Sequence, residues 1–166
     1  MKVGILTVSD RSFRGEREDL GGPEVSRWIA EQGVEVARRA VVPDEAEAIT
    51  ETLRQWSDDG ALDLILTTGG TGVSPRDVTP DATLHVSDRL VPGFGERMRA
   101  ESVQKTPMAI LSRAVAVVRK ETLIINLPGS PKGAVENLAA VWEAVAHAVS
   151  KIRGDTSDCA PPPPSE

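Results

Sequence analysis

Short apolar segments rich in β-branched residues alternate along this chain with amphipathic segments of helical period. The first apolar segment, KVGILTVS at residues 2–9, has the composition of a strand buried on both faces of a parallel sheet. After a polar loop at residues 10–19, a helix is expected at residues 20–33, where Val25 and Ile29 share one face. Because strands and helices alternate in this way, the sequence predicts an α/β fold with a mostly parallel sheet.

The rest of the chain continues this alternation. Further strands are expected at 34–43, 63–68, 114–120 and 121–128, and further helices at 44–60, 79–90, 92–105 and 129–154. The last two strands are separated by a tight turn at Lys120 and Glu121, which predicts a hairpin. We therefore expect a three-layer sandwich, in which helices flank a mostly parallel sheet with an antiparallel edge hairpin. At 166 residues the chain suits one domain. That domain is assigned to residues 1–154, followed by a disordered, Pro-rich tail at 155–166.

Composition excludes several classes of function. The chain has 19 Lys and Arg against 25 Asp and Glu, so bulk attraction to nucleic acid is not expected. Its one cysteine, Cys159, allows no intrachain disulfide and no cysteine metal cluster. The histidines, His85 and His147, fall on predicted helices away from the loops and are expected to be surface or packing residues. No segment is long and apolar enough to cross a membrane, and the N-terminus has the pattern of a strand, so a cytoplasmic protein is predicted.

The predicted strands bring four loops to one edge of the sheet. In parallel α/β sheets, ligands bind where the carboxyl ends of the strands meet. The loops in question are those that follow Ser9, Val42, Thr68 and Leu127. This edge is where functional residues are expected.

The third strand leads directly into a glycine loop, Gly69, Gly70, Thr71 and Gly72. Glycines at this place allow positive φ values and close approach of the backbone, so that successive N–H groups can point at one anion. No Gly-Lys-Ser/Thr follows, which excludes a Walker A loop. Two interpretations remain at this stage: a phosphate cradle and a plain tight turn.

The segment SPRDVTPD, residues 74–81, continues from the glycine loop and holds Arg76 and Asp77 between two prolines. A loop stiffened by proline that presents an Arg and an Asp suits a phosphate and a divalent cation. Alternatively, Asp77 caps a turn and Arg76 is solvated. Asp44 and Asp10, each directly after a predicted strand, fall on the same edge, although Asp44 could equally favour the start of its own helix. Carboxylate oxygens of this kind suit Mg²⁺ bridging a polyphosphate.

A second junction from strand through glycine to helix is NLPGSPK, residues 126–132. Gly129, Ser130 and the free N–H groups of the helix would form another anion site, with Lys132 nearby. A simple helix start, with Ser130 as N-cap and Pro131 at the first helical position, explains the same residues. Shortly before the hairpin, Arg113 could hold a second phosphate or pair with an acid.

Five motifs in this order and spacing resemble the MogA/MoaB family of molybdenum cofactor proteins: TTGGTG, SPRDVTPDAT, PGFGERMR, LSRAV and NLPGSPK. The resemblance covers residues 2–154. It implies an α/β fold, a homotrimer and binding of molybdopterin. For MogA-type members it also implies Mg²⁺-dependent transfer of AMP from ATP to the terminal phosphate of molybdopterin, and a protein partner for molybdenum insertion.

The same resemblance implies roles for individual residues. Asp44 and Asp77 would be catalytic and would hold Mg²⁺. Nucleotide binding is expected of Asp10, Gly69, Gly70, Thr71, Gly72, Pro128, Gly129 and Ser130. Molybdopterin binding is expected of Ser74, Arg76, Ser112 and Arg113. Asp10, Asp44 and Asp77 match the active, MogA-type pattern, whereas the short C-terminus is closer to MoaB length. The alternatives to an enzyme are a non-catalytic, MoaB-like molybdopterin-binding protein and a trimeric scaffold.

Overall fold

The computed structural model describes residues 1–157 and shows a mixed sheet with helices on both faces. The strands are β1 (Lys2–Val8), β2 (Glu35–Val42), β3 (Leu64–Thr68), β4 (Arg89–Leu90), β5 (Ala116–Arg119) and β6 (Thr122–Leu127). The helices are α1 (Asp10–Phe13), α2 (Gly21–Glu31), α3 (Ala46–Asp58), α4 (Thr79–His85), α5 (Pro92–Val103) and α6 (Pro131–Ile152), with a 3₁₀ turn at Pro107–Leu111.

The six strands lie in the order β2-β1-β3-β6-β5-β4. The first four of these are parallel, and β5 and β4 extend the sheet in antiparallel pairs. The predicted fold class is therefore confirmed, and β5 and β6 form the expected hairpin around Lys120. The hairpin is not itself the edge, because the short strand β4 pairs beyond β5.

Two apolar clusters fill the spaces between the sheet and its helices. On one face, Val3, Ile5 and Leu66 pack against α2, α5 and α6. On the other face, Leu6 and Ile65 pack against α3 and α4. Alternate residues of each central strand thus enter opposite clusters, which explains why those strands are apolar throughout. Edge-to-face contact between Trp28 and Trp142, with ring centroids 5.2 Å apart, joins α2 to α6.

Some sequence expectations about local structure were wrong. The loop expected at residues 10–19 begins with the short helix α1, which Ser9 caps by accepting from the Ser12 N–H. The helix expected to run to residue 90 ends at His85, because the chain turns there to enter β4. Thr79 is the first residue of α4. Its hydroxyl donates to the carbonyl oxygen of Gly69 at 2.9 Å.

The chain end is described only in part. Asp155, the first residue of the predicted tail, accepts a hydrogen bond from Ser150 on α6. The rest of that prediction, residues 158–166 with Cys159, lies outside the described residues. Within residues 1–157, no helix has the length and apolar character needed to span a bilayer. His85 and His147 are exposed on α4 and α6, as expected.

Candidate active site

The four loops expected at one sheet edge do meet there. The Ser9 N–H donates to the Val42 carbonyl oxygen at 2.9 Å, which joins the loops after β1 and β2. The Gly69 N–H donates to the Leu127 carbonyl oxygen at 3.2 Å, which joins the loops after β3 and β6. The parallel register of the sheet therefore carries the candidate residues of all four loops to a common place.

The glycine loop is held tightly at its first two residues. Gly69 has φ 107° and Gly70 has φ 62°, values that residues with a side chain rarely adopt. A Cβ at Gly69 would collide with the carbonyl oxygen of Val8 on the neighbouring strand. From the opposite side, the Thr79 N–H donates to the Gly70 carbonyl oxygen, and the Thr79 hydroxyl donates to the Gly69 carbonyl oxygen. Both glycines are thus required by backbone conformation and by space.

Two carboxylates lie over this loop. A Cβ added at Gly70 would stand 3.2 Å from Asp44 Oδ1, and one added at Gly72 would stand 2.9 Å from Asp77 Oδ2. Asp77 is fixed in place because its Oδ2 accepts from the Ser74 N–H at 2.8 Å, while its own N–H donates to the Ser74 carbonyl oxygen. The turn-capping interpretation of Asp77 is therefore correct, and the same geometry presents its carboxylate beside the glycines.

Asp10 and Asp44 are joined by reciprocal hydrogen bonds. The Asp10 N–H donates to Asp44 Oδ2 at 2.7 Å, and the Asp44 N–H donates to Asp10 Oδ1 at 3.0 Å. Arg76 reaches across from the glycine-loop side and donates to Asp10 Oδ2 at 2.6 Å. This guanidinium lowers the pKa of the Asp10 carboxyl. Arg76 is 57% exposed and Asp10 23%, so their ion pair is open to solvent and to exchange with a ligand.

Arg113 contacts the other side of the same loop. Its Nε donates to the Gly72 carbonyl oxygen at 2.8 Å, and its Nη2 donates to the carbonyl oxygen of Asp77. Its Nη1 and Nη2 also donate to the two carboxylate oxygens of Asp81, at 3.0 and 2.9 Å. The Arg113 guanidinium lowers the pKa of Asp81. Among the alternatives for Arg113, the ion pair with an acid is present.

The second glycine junction is a helix start. Ser130 is the N-cap of α6 and accepts from the Gly133 N–H at 3.0 Å, and Pro131 is the first helical residue. Pro128 accepts from the Thr68 hydroxyl at 2.8 Å. A Cβ at Gly129 would lie 3.3 Å from the Cα of Gly69, so the two glycine segments pack directly against each other.

Two clefts open on either side of this packed centre. A polar cleft of about 250 Å³ is lined by Asp44, Gly69, Gly70 and Gly129, together with the segment that precedes α2. A larger cleft of about 600 Å³ lies between α5, the 3₁₀ turn and α6, and has Ser112, Pro128 and Ser130 in its wall. The clefts therefore share the junction between β6 and α6 as a common wall.

Sequence reasoning missed Asp19 as part of the polar cleft. Its carboxylate accepts from the Thr7 hydroxyl at 2.8 Å and from the Gly22 N–H at 3.0 Å, so it fixes the start of α2 against β1. An acid three residues before a helical glycine N–H is a capping signal that was present in the sequence. Its place in the cleft, however, depends on how residues 14–20 return to the sheet edge.

The donor set fits Mg²⁺ better than a softer metal. Within residues 1–157, no three His, Cys, Asp or Glu side chains cluster closely enough to hold a metal ion. Asp44, after β2, and Asp77, after β3, offer oxygen ligands beside glycines of the same loop, and a metal held there would need further ligands from water or substrate. Mg²⁺ is usually bound in this manner, through one or two carboxylates, water and substrate phosphates.

Fold and site together define an α/β domain with a polar cleft at the carboxyl ends of its parallel strands. Residues 4–147 match the family described as "Probable molybdopterin binding domain". The chain belongs to this family, and within it to the MogA/MoaB group. The resemblance noted from the motifs is thereby confirmed.

Individual relatives agree with this assignment. The chain is 49% identical over 143 residues to a molybdopterin adenylyltransferase of Haemophilus influenzae, covering 85% of this chain and 73% of the relative. It is 45% identical over 152 residues to the enzyme of that name from Escherichia coli K12, covering 90% of this chain and 77% of the relative. A crystal structure of the molybdopterin biosynthesis enzyme MoaB from Thermus thermophilus superposes with a TM-score of 0.87, at 55% identity, covering 93% and 97%.

Proposed function

We propose that this protein is a molybdopterin adenylyltransferase, which transfers AMP from ATP to the terminal phosphate of molybdopterin and releases pyrophosphate. The observation that carries the proposal is the position of Asp44 and Asp77 over neighbouring glycines of one loop. Relatives at 42–49% identity with the name molybdopterin adenylyltransferase support it.

The reaction makes few demands on side-chain acid–base chemistry. A phosphate oxygen of molybdopterin forms a bond to the α-phosphorus of ATP, and the bond from that phosphorus to the pyrophosphate oxygen breaks. The attacking phosphate is already ionised near neutral pH, so no histidine base is needed. What the protein must supply is alignment and relief of repulsion between anions. Mg²⁺ held by Asp44 and Asp77 would supply positive charge to the triphosphate when bound.

The two clefts suggest how the substrates divide the site. The polar cleft suits the nucleotide, with the N–H groups of Gly70, Thr71 and Gly72 facing the phosphates, whereas the Gly69 N–H is already bonded to the Leu127 carbonyl oxygen. Gly129 lines this cleft, and Asp10, Pro128 and Ser130 would lie at its borders. The larger cleft, which Ser112 lines, suits the pterin. Ser74 and Arg76 precede Asp77 on the same loop, and both are exposed to solvent. Arg76 would leave Asp10 and pair with a substrate phosphate, since its ion pair with Asp10 is exposed and a guanidinium can bind phosphate through two parallel hydrogen bonds.

A turnover assay tests the proposal. Purified protein with ATP labelled at the α-phosphorus, Mg²⁺ and molybdopterin should give labelled, adenylylated molybdopterin and one pyrophosphate per product. If the wild-type protein binds molybdopterin but forms no labelled product, the enzyme proposal fails. A MoaB-like binding protein without catalysis would then be the correct description.

Assembly and location are further parts of the proposal. We infer a homotrimer from the family, and multi-angle light scattering should return three times the mass of the 17.7 kDa chain. A monomer mass would overturn it. A cytoplasmic location, and a partner protein that receives the product for molybdenum insertion, complete the proposed role.

A further inference from the structure

Arg113 differs from the other charged residues at the site in what it contacts. Its guanidinium donates to two backbone carbonyl oxygens, those of Gly72 and Asp77, and its own N–H donates to the Thr71 carbonyl oxygen at 2.8 Å. The three acceptors, on Thr71, Gly72 and Asp77, lie at the two ends of the segment 71–77. Arg113 therefore closes the loop from outside as a clamp.

The clamp is anchored at α4. Both carboxylate oxygens of Asp81 receive the fork of Arg113, a bidentate arrangement that fixes the guanidinium plane as well as its charge. Asp81 lies in the first turn of α4, next to the buried Pro80. The helix thus holds Asp81, Asp81 holds Arg113, and Arg113 holds the backbone of the loop.

The donors of Arg113 are largely used by these contacts. A guanidinium with its fork on Asp81 and its Nε on Gly72 has little capacity left for a bidentate bond to substrate phosphate. The guanidinium of Arg76 presents the opposite case: within residues 1–157 it has one exposed ion pair, to Asp10, and donates to no carbonyl oxygen of the loop. One arginine is thus available for exchange, and the other is committed to structure.

We propose that Arg113 is a positioning residue that sets the place of the Asp77 carboxylate through the Arg113–Asp81 clamp, instead of contacting molybdopterin. The consequence for catalysis rests on the proposed function, because Asp77 is the residue that would hold Mg²⁺. The existence of the clamp does not rest on the proposed function, since its hydrogen bonds are present in the ligand-free loop. Groups that orient a metal-binding carboxylate commonly change metal affinity by about 10-fold or more when they are removed.

Two variants and one control test the clamp. Arg113→Lys keeps the charge and loses the planar fork, and Asp81→Asn keeps Arg113 and removes its anchor. Arg27→Lys is the matched control, because Arg27 also hydrogen-bonds two carboxylates, Glu24 and Glu31, but on the surface of α2. Melting temperatures are recorded for all three proteins.

The first readout is hydrogen–deuterium exchange in the ligand-free protein. Peptides spanning residues 69–81 should exchange faster in Arg113→Lys and Asp81→Asn than in the wild type, and at the wild-type rate in Arg27→Lys. Unchanged exchange in both clamp variants would overturn the proposal. This readout does not depend on activity, so it stands even if the protein transfers no AMP.

The second readout separates positioning from substrate contact. In both clamp variants, the Mg²⁺ concentration for half-maximal velocity should rise by about 10-fold, with the KM for molybdopterin unchanged. A raised KM for molybdopterin with unchanged Mg²⁺ dependence would make Arg113 a substrate ligand and overturn the proposal. A lower melting temperature alone, with wild-type Mg²⁺ dependence, would also overturn it by reducing the clamp to a stabilising contact.

Discussion

The two junctions from strand through glycine to helix look alike in the sequence and differ in the structure. After β3, Gly69 and Gly70 adopt positive φ values and carboxylates stand over the loop. After β6, Ser130 caps α6 in an extended conformation and Pro131 opens the helix. Gly129 is needed there for a close approach to Gly69, which links the second junction to the first.

This difference shows which features of a glycine junction indicate chemistry. Both junctions place backbone N–H groups at the carboxyl ends of parallel strands. The first alone combines them with the Asp44 and Asp77 carboxylates and with arginines on both sides. We therefore propose the phosphate and metal chemistry for the junction after β3, and a supporting role for the junction after β6.

The largest expected effect comes from removing the Asp77 charge. Asp77→Asn keeps the hydrogen bond geometry with Ser74 nearly intact but removes the charge proposed to hold Mg²⁺. The rate of AMP transfer should fall by roughly 100-fold or more, a loss typical of removing a preorganised electrostatic group. Asp59→Asn is the matched control, because it removes an exposed ion pair to Arg38 at the far end of α3. Equal activity of both variants would move the chemistry away from the first junction.

The next effect is on stability, at the centre of the first junction. Gly69→Ala should lower the free energy of unfolding by about 3 kcal/mol, because strained φ and steric overlap add together. Gly33→Ala is the control for strain alone, since Gly33 has φ 73° with no atom within 4 Å of its added Cβ. Chemical denaturation measures both. Equal losses in the two variants would show that the close approach to Val8 does not constrain the loop.

A smaller effect is expected at the second junction. Ser130→Ala removes the N-cap bond to the Gly133 N–H and should cost about 1 kcal/mol, which lowers the melting temperature by about 2–4 °C. Scanning calorimetry measures the shift. If the KM for ATP instead changes strongly while the melting temperature is unchanged, the junction after β6 binds nucleotide directly and the contrast between the junctions disappears.

The smallest effect concerns the exchangeable arginine. Because the Arg76 guanidinium lowers the pKa of Asp10, Arg76→Ala should raise that pKa toward its ordinary value. Carboxyl carbon chemical shifts followed by NMR between acidic and neutral pH measure the change. An unaltered pKa would show that Arg76 and Asp10 do not form their ion pair in solution. Arg76 would then not have to leave Asp10 in order to bind a substrate phosphate.

The sequence was sufficient for most of the order of elements and for the meeting of four loops at one sheet edge, because both follow from local patterns. Buried strands have continuous apolar runs, and parallel connection then sends their ends to one edge. The strand Arg89–Leu90 could not be predicted in this way. It is two residues long and exposed, and it exists only because it pairs with β5.

The contacts that the sequence did not indicate have the same cause. The capping signal of Asp19 is local, but its place in the polar cleft and the loop contacts of Arg113 arise only when distant segments meet. Asp19 contacts Thr7 on β1, and Arg113 contacts a loop that lies 36 residues earlier at Asp77. Motif resemblance supplied the residues around the site and placed Arg113 among those expected to bind molybdopterin, whereas its hydrogen bonds in the structure hold the loop.

Calorimetric titration with ATP tests the central claim most directly, because it asks whether the loop after β3 binds ATP through a metal. Wild-type protein should bind ATP at least about 10-fold more tightly with Mg²⁺ than with EDTA. The double variant Asp44→Asn, Asp77→Asn should bind ATP with no dependence on Mg²⁺. Wild-type affinity that is the same with and without Mg²⁺, or metal dependence that survives in the double variant, would contradict the assignment of these two carboxylates.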